Sequence, residues 1–189
     1  CHDWQAALVP LYLRTCFQNT NVGRANAVLT IHNLRFQGIY DRKMIQYWSG
    51  LPDYVFNKDC MIQNWLDANM LKGGIAYCNK ITTVSNTYAG EIQTEEYGEG
   101  LAEHLRYHNN KIRGIVNGID TDNWNPATDK LLTANYDAES AVENKKINKK
   151  ALQESLGLEV DDHKMVIGLI SRLTNQKGLD LVNAVIPGI

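Results

Sequence analysis

The sequence lacks the marks of several large protein classes. Its four cysteines, Cys1, Cys16, Cys60 and Cys78, show no CxxC spacing, so neither a zinc ribbon nor a thioredoxin-like redox pair is encoded. A chain of 189 residues with 44% hydrophobic residues has core enough to do without disulfide staples, and its thiols read as the reduced ones of a cytoplasmic protein. There is no basic excess: 19 Lys and Arg face 21 Asp and Glu, a net charge of −2. Nucleic acid and anionic membranes are therefore poor partners, and any anion site must be local. No apolar run approaches the roughly 18 residues that span a bilayer. The first residues carry no basic stretch followed by an apolar one, so no signal peptide is visible. Cys1-His2-Asp3-Trp4 reads instead as the interior of a longer chain. GxGxxG, GxxxxGK[ST], GxSxG and HExxH are all missing, which leaves no dinucleotide fingerprint, Walker loop, nucleophile elbow or zincin helix.

Short apolar runs that alternate with helical spacing are present instead. Ala27 to Ile31 is β-branched and apolar, Ile81 to Val84 and Lys111 to Val116 are similar, and Met165 to Ile170 is the last of the series. Each reads as a buried strand. Helical patterns fall between them: Trp4 to about Arg14 with Asp3 as its expected cap, Met70 to Asn79 despite Gly73-Gly74, and a helix capped by Ser85 or Asn86. Lys149 to Leu156 reads as a further helix stopped by Gly157. Residues 34 to 72 are irregular and rich in aromatics. Strands alternating with helices imply an α/β fold, a parallel Rossmann-like sheet with helices on both faces. The polar stretch after Asn117-Gly118 is the expected boundary, which gives 1–118 as a nearly complete half of one α/β domain, its C-terminal half, 119–163 as a connection and 164–189 as the opening βα unit of a second domain.

The stretch Ser171-Arg172-Leu173-Thr174-Asn175-Gln176-Lys177-Gly178 lies where the last apolar run turns into a helix. Open α/β sheets bind ligands at such turns, and a guanidinium with an ammonium can grip a diphosphate. Two solvated surface cations are the alternative. His2 sits at another strand-to-helix turn, as a sugar-hydroxyl partner or as a histidine bonded to backbone. His32-Asn33 and Asn117-Gly118 end two strands at the same edge, to line a cleft or simply to make turns. His104 and His108 are spaced i, i+4 but have no obvious third ligand, so no metal is expected. Tyr47, Trp48, Tyr54, Phe56 and Trp65 form either a sugar-stacking surface or core.

Taken in order, these segments resemble the bacterial glycogen synthases and plant starch synthases. Cys1 to Pro10 resembles their HDW segment, and Ile31-His32-Asn33-Leu34-Arg35-Phe36-Gln37-Gly38 their HNxxxQG segment. Thr82 to Ala89 resembles TVSxxYA, with Glu96-Tyr97-Gly98 following. Asn117-Gly118-Ile119-Asp120 and Trp124-Asn125-Pro126 resemble NGxD…WxP, and Ser171 to Leu181 resembles SRLxxQKGLDL. Each motif is modest alone; the ordered set is specific. The family's KxGGL loop and its segment bearing a donor-sugar glutamate have no counterpart here, and Gln5 stands where a His is common.

The resemblance implies a partial GT-B fold of two Rossmann-like domains. It implies a retaining transfer of glucose from ADP-glucose to the 4-hydroxyl of an α-1,4-glucan, with no required metal or other cofactor. It implies that Arg172 and Lys177 hold the diphosphate, that Gln176 lies beside the donor, and that His2 and Asn117 contact the sugar. The expected partners are ADP-glucose and an α-glucan acceptor. The segment alone is expected to be inactive. The alternatives are a UDP-glucose enzyme of the same architecture and a non-catalytic glucan-binding module.

Overall fold

A computed structural model describes residues 1–63 and 66–188. The chain divides into two compact units, Cys1–Gly118 and Ile119–Ile189.

The first unit is built on a parallel sheet. Strands β1 (Val28–Ile31), β4 (Lys80–Thr83) and β5 (Ile112–Gly114) lie in the order β1-β4-β5. Residues 1–3 add a parallel pairing on the free edge of β1: Thr30 N donates to Cys1 O at 2.8 Å and Asp3 N to Thr30 O at 2.9 Å. The register aligns Leu29, Ile81 and Ile112 in one row. That row and Ile31 are buried, because alternate strand positions share a face. Complete burial of a Leu or Ile side chain contributes about 1.5–3 kcal/mol.

One hydrophobic cluster joins these strand residues to Ala7 and Leu13, to Leu71 and Ile75, and to Ile92, Leu101 and Leu105. Helices α1 (Leu8–Arg14), α3 (Met70–Tyr77) and α5 (Ala102–Tyr107) contribute Leu13, Leu71, Ile75 and Leu105 to this cluster with the strand residues. The chain forms the parallel α/β class expected from the sequence. On the opposite face Thr30 and Thr82 are half-buried and bonded to each other at 2.8 Å, while Val28, Lys80 and Arg113 are exposed.

Local signals explain the elements. In α3 the side chain of Asn69 accepts from Lys72 N at 2.9 Å. In α4 (Asn86–Glu91) Ser85 accepts from Tyr88 N at 2.9 Å; both are N-cap bonds. Gly74 is required by packing, since a Cβ there would lie 2.8 Å from Ala7 Cβ on the α1 side. The irregular aromatic region holds β2 (Ile39–Asp41) paired antiparallel with β3 (Asp67–Asn69), and α2 (Arg42–Ser49) capped by the Asp41 carboxylate on Met44 N.

Two expectations change here. The N-terminal helix divides into a 3₁₀ turn, Trp4–Ala6, followed by α1. Asp3 does not cap it, because its carboxylate accepts from His32 N at 2.8 Å instead.

The second unit holds α6 (Ala141–Ser155) and α7 (Leu179–Val185). α6 begins eight residues before the expected start at Lys149, since Ala, Glu and Lys are strong helix formers and Glu143 pairs with Lys146 at 3.0 Å. It stops at Gly157 as expected, where φ is +65°. Met165 to Ile170 forms no strand among the described residues, and Met165 and Ile170 are exposed. A parallel strand needs a hydrogen-bonded neighbour, and no described residue of this unit supplies one.

Candidate functional site

In the first unit His2, His32 and Asn117 each stand at or after the carboxyl end of a strand pairing. His2 stands at the end of the residue 1–3 pairing, and its Nδ1 lies 2.9 Å from Nε2 of His32, which follows β1 directly. The two rings lie side by side and nearly coplanar, with centroids 5.2 Å apart and planes 20° apart. Both are exposed. One nitrogen must donate and the other accept, so the tautomer of one ring sets that of the other.

The backbone beneath them is unusual. Asp3 has φ +51° without being a glycine, a conformation that costs of order 1–3 kcal/mol and persists only where surroundings impose it. Here the Asp3 N–H bond to Thr30 and its carboxylate bond to His32 N hold it. His32, left open in the sequence as a turn residue, is thus the direct partner of His2. Histidines at two strand ends were the only signal of it; their contact is set by sheet pairing across thirty residues.

The rest of the HNxxxQG segment is anchored in the core. Asn33 Oδ1 accepts from Arg35 N at 3.1 Å. Gln37 is buried, accepts from Asn69 Nδ2 at 2.6 Å and donates to Glu99 O at 2.9 Å. Gly38 lies in the left-handed region at φ +64°, where a Cβ would stand 2.5 Å from the Trp4 ring. The HDW and HNxxxQG segments, distant in sequence, are one packed unit.

Asn117 is exposed, three residues beyond β5. β5, which it follows, lies three strand positions from residues 1–3, roughly 14 Å at about 4.8 Å per strand. No contact joins Asn117 to His2 among the described residues.

In the second unit Arg172, Gln176 and Lys177 share one exposed turn. Thr174 N donates to Arg172 O, and Lys177 N donates to Thr174 O, both at 2.9 Å. A 3₁₀ turn, Asn175–Lys177, then meets Gly178 at φ +66°, which opens α7. The turn brings the two cations within five residues on one short loop. Neither enters an ion pair with a described residue. Unneutralised cations on a folded turn are available to an anionic ligand.

The other candidates resolve differently. His104 Nε2 bonds the Lys72 carbonyl at 3.1 Å and its ring stands edge-on to His108, 4.8 Å away. Burial pulls both imidazoles down to about 4, helped by His108 and Lys111 around His104 and by Lys111 at His108. Among the described residues no group of three or more His, Cys, Asp or Glu is placed to hold a metal ion. Phe56 belongs to the core, Tyr47, Trp48 and Tyr54 are exposed, and Trp65 lies outside the described residues. Burial pushes the Cys60 and Cys78 thiols up to about 12 and about 11, so both stay protonated. No helix among the described residues is long and apolar enough to cross a membrane.

The chain is similar to known proteins in sequence and in fold. A family model described as the starch synthase catalytic domain matches residues 1–107. A glycogen synthase of Lachnospira eligens is 50% identical over 96% of this chain and 38% of its own length. One from Thermotoga maritima is 50% identical over 96% of this chain and 37% of its own. The catalytic domain of starch synthase IV from Arabidopsis thaliana, bound to ADP and acarbose, superposes with a TM-score of 0.87 at 36% identity, covering 99% of this chain and 38% of that one. The chain therefore spans about two fifths of the relatives it matches. It belongs to the starch synthase catalytic domain family.

Proposed function

We propose that this chain is part of a retaining glucosyltransferase that moves glucose from ADP-glucose to the non-reducing end of an α-1,4-glucan. The observation that carries the reading is 50% identity to a glycogen synthase over 96% of the chain. The Arabidopsis relative holds ADP and acarbose, a nucleotide and an oligosaccharide mimic, which supports ADP-glucose and an α-glucan as partners.

In this reading Arg172 and Lys177 bind the donor diphosphate and neutralise the charge that grows on the departing ADP. Developing charge is where fixed cations contribute most to a barrier. Gln176 lies beside the donor, and His2 and Asn117 contact its glucose. The chemistry is positioning plus electrostatics, needs no metal, and proceeds with water excluded. Residues 1–118 are then the latter part of the acceptor-side domain, 119–163 the connection and 164–189 the start of the nucleotide-binding domain. The compartment that fits an ADP-glucose enzyme with protonated, buried thiols is the cytoplasm.

The test is a donor comparison. A full-length protein carrying this segment incorporates labelled glucose from ADP-glucose into glycogen, and excess UDP-glucose competes poorly. Preference for UDP-glucose would shift the assignment to another donor class. Glycogen binding without nucleotide affinity, unaffected by loss of Arg172 and Lys177, would point to a binding module. The 189-residue chain alone incorporates no glucose; measurable transfer by it would contradict the fragment reading.

A further inference from the structure

We propose that His32 is a positioning residue for His2: its Nε2 holds His2 Nδ1 so that His2 offers a single, fixed nitrogen, Nε2, to the donor sugar. The inference rests on the reading of His2 as a sugar contact and adds a residue to it.

Three observations support the assignment. The 2.9 Å separation leaves room for one proton between the rings, so one nitrogen donates and the other accepts. The two ring planes lie only 20° apart, as an in-plane N–H···N bond requires, so the bond sets the plane of the His2 ring as well as its partner. His32 is itself held at its backbone by the Asp3 carboxylate at 2.8 Å, through a residue in a strained conformation. That conformation is held by the Asp3 bonds to Thr30 O and His32 N, and backbone strain held in this way clusters at functional sites.

An unpartnered, exposed histidine samples both tautomers and several rotamers, so only a fraction of its population matches a bound hydroxyl. The His32 bond removes that averaging. With the proton supplied by His32, His2 carries its own proton on Nε2 and donates to the sugar. With the proton on His2 Nδ1, Nε2 is bare and accepts. Either arrangement gives His2 Nε2 one chemical character, and no described residue occupies that atom.

Two measurements test it. The first is long-range proton–nitrogen NMR of the histidine rings, selectively labelled, in the full-length protein. A single His2 tautomer, lost to averaging in His32→Ala, supports the proposal; an averaged tautomer in the unmodified chain, or one unchanged in His32→Ala, overturns it. The second is turnover in the full-length enzyme. His32→Ala should lower kcat roughly tenfold to a hundredfold, the scale of misplacing a positioned group, with KM for ADP-glucose nearly unchanged. His32→Gln, which keeps a hydrogen-bonding group at that reach, should restore most of the loss. Wild-type kcat in His32→Ala overturns the role. Circular dichroism confirms that each variant is folded. Failure of the underlying functional reading shows differently, as no glucose transfer by the unmodified full-length protein, and the NMR result stands apart from it.

Discussion

Gly38 offers the sharpest test of how the HDW and HNxxxQG segments are joined. Its φ is +64°, and a Cβ there would lie 2.5 Å from Trp4 Cε3, 2.9 Å from Trp4 Cδ2 and 3.0 Å from Met70 Cε. Gly50, which ends α2, has nearly the same φ, +62°, but nothing within 4 Å of the added Cβ. Gly50→Ala therefore measures left-handed strain alone, about 1–2 kcal/mol. Gly38→Ala adds overpacking against a ring wedged between core elements, typically a further 1–3 kcal/mol. The expected losses are about 1–2 kcal/mol for Gly50→Ala and about 2–5 kcal/mol for Gly38→Ala. Urea unfolding followed by circular dichroism reads both as a lower midpoint at unchanged slope. Equal losses in the two variants would refute the close approach of Trp4 to the HNxxxQG loop. A Trp4→Ala background should shrink the difference, because the ring is the obstacle.

Three further outcomes follow from the structure. Asn69→Ala removes the cap on Lys72 N and strips a partner from buried Gln37, so it should cost about 2–4 kcal/mol in the same urea assay; a loss under 0.5 kcal/mol would contradict the network. His104 and His108 are depressed to about 4 from an unfolded value of 6.5. The unfolded chain thus binds more protons between those values, and the stability they lend is present above pH 6.5 and falls away toward pH 4. A His104→Gln, His108→Gln double variant should show a shallower fall in urea midpoint over that window, and an identical slope would contradict their burial. Ser85→Ala removes the cap on Tyr88 N and should cost about 1 kcal/mol by urea midpoint; no change would show the cap to be idle.

The strands β1 and β4 were legible because each is a short apolar, β-branched run whose alternate residues face one core. The cap of α4 and the Gly157 stop follow from local chemistry as well. β2 and β3 were not legible. Their register joins Ile39 to Asn69 across thirty residues of irregular sequence, and only tertiary contact sets it. The same holds for His2 and His32. Each histidine was visible at a strand end, but the pairing depends on the lateral placement of residues 1–3 beside β1. Asp3 misled for a related reason: a residue suited to capping had a better partner in His32 N. Met165 to Ile170 has the composition of a buried strand, yet composition specifies a strand only where a neighbour is present to pair. Arg172, Gln176 and Lys177 were singled out by motif order, since exposed polar and cationic side chains on a turn carry little signal by themselves.

The central claim is that the Arg172–Lys177 turn grips the donor diphosphate of an ADP-glucose glucosyltransferase. The most direct measurement is kcat for glucose transfer from ADP-glucose to glycogen by the full-length enzyme, with Arg172→Ala and Lys177→Ala beside it. Each substitution should cut turnover about a hundredfold or more, the scale of losing one charge-stabilising donor, while circular dichroism stays native. Near-normal turnover in either variant would contradict the account.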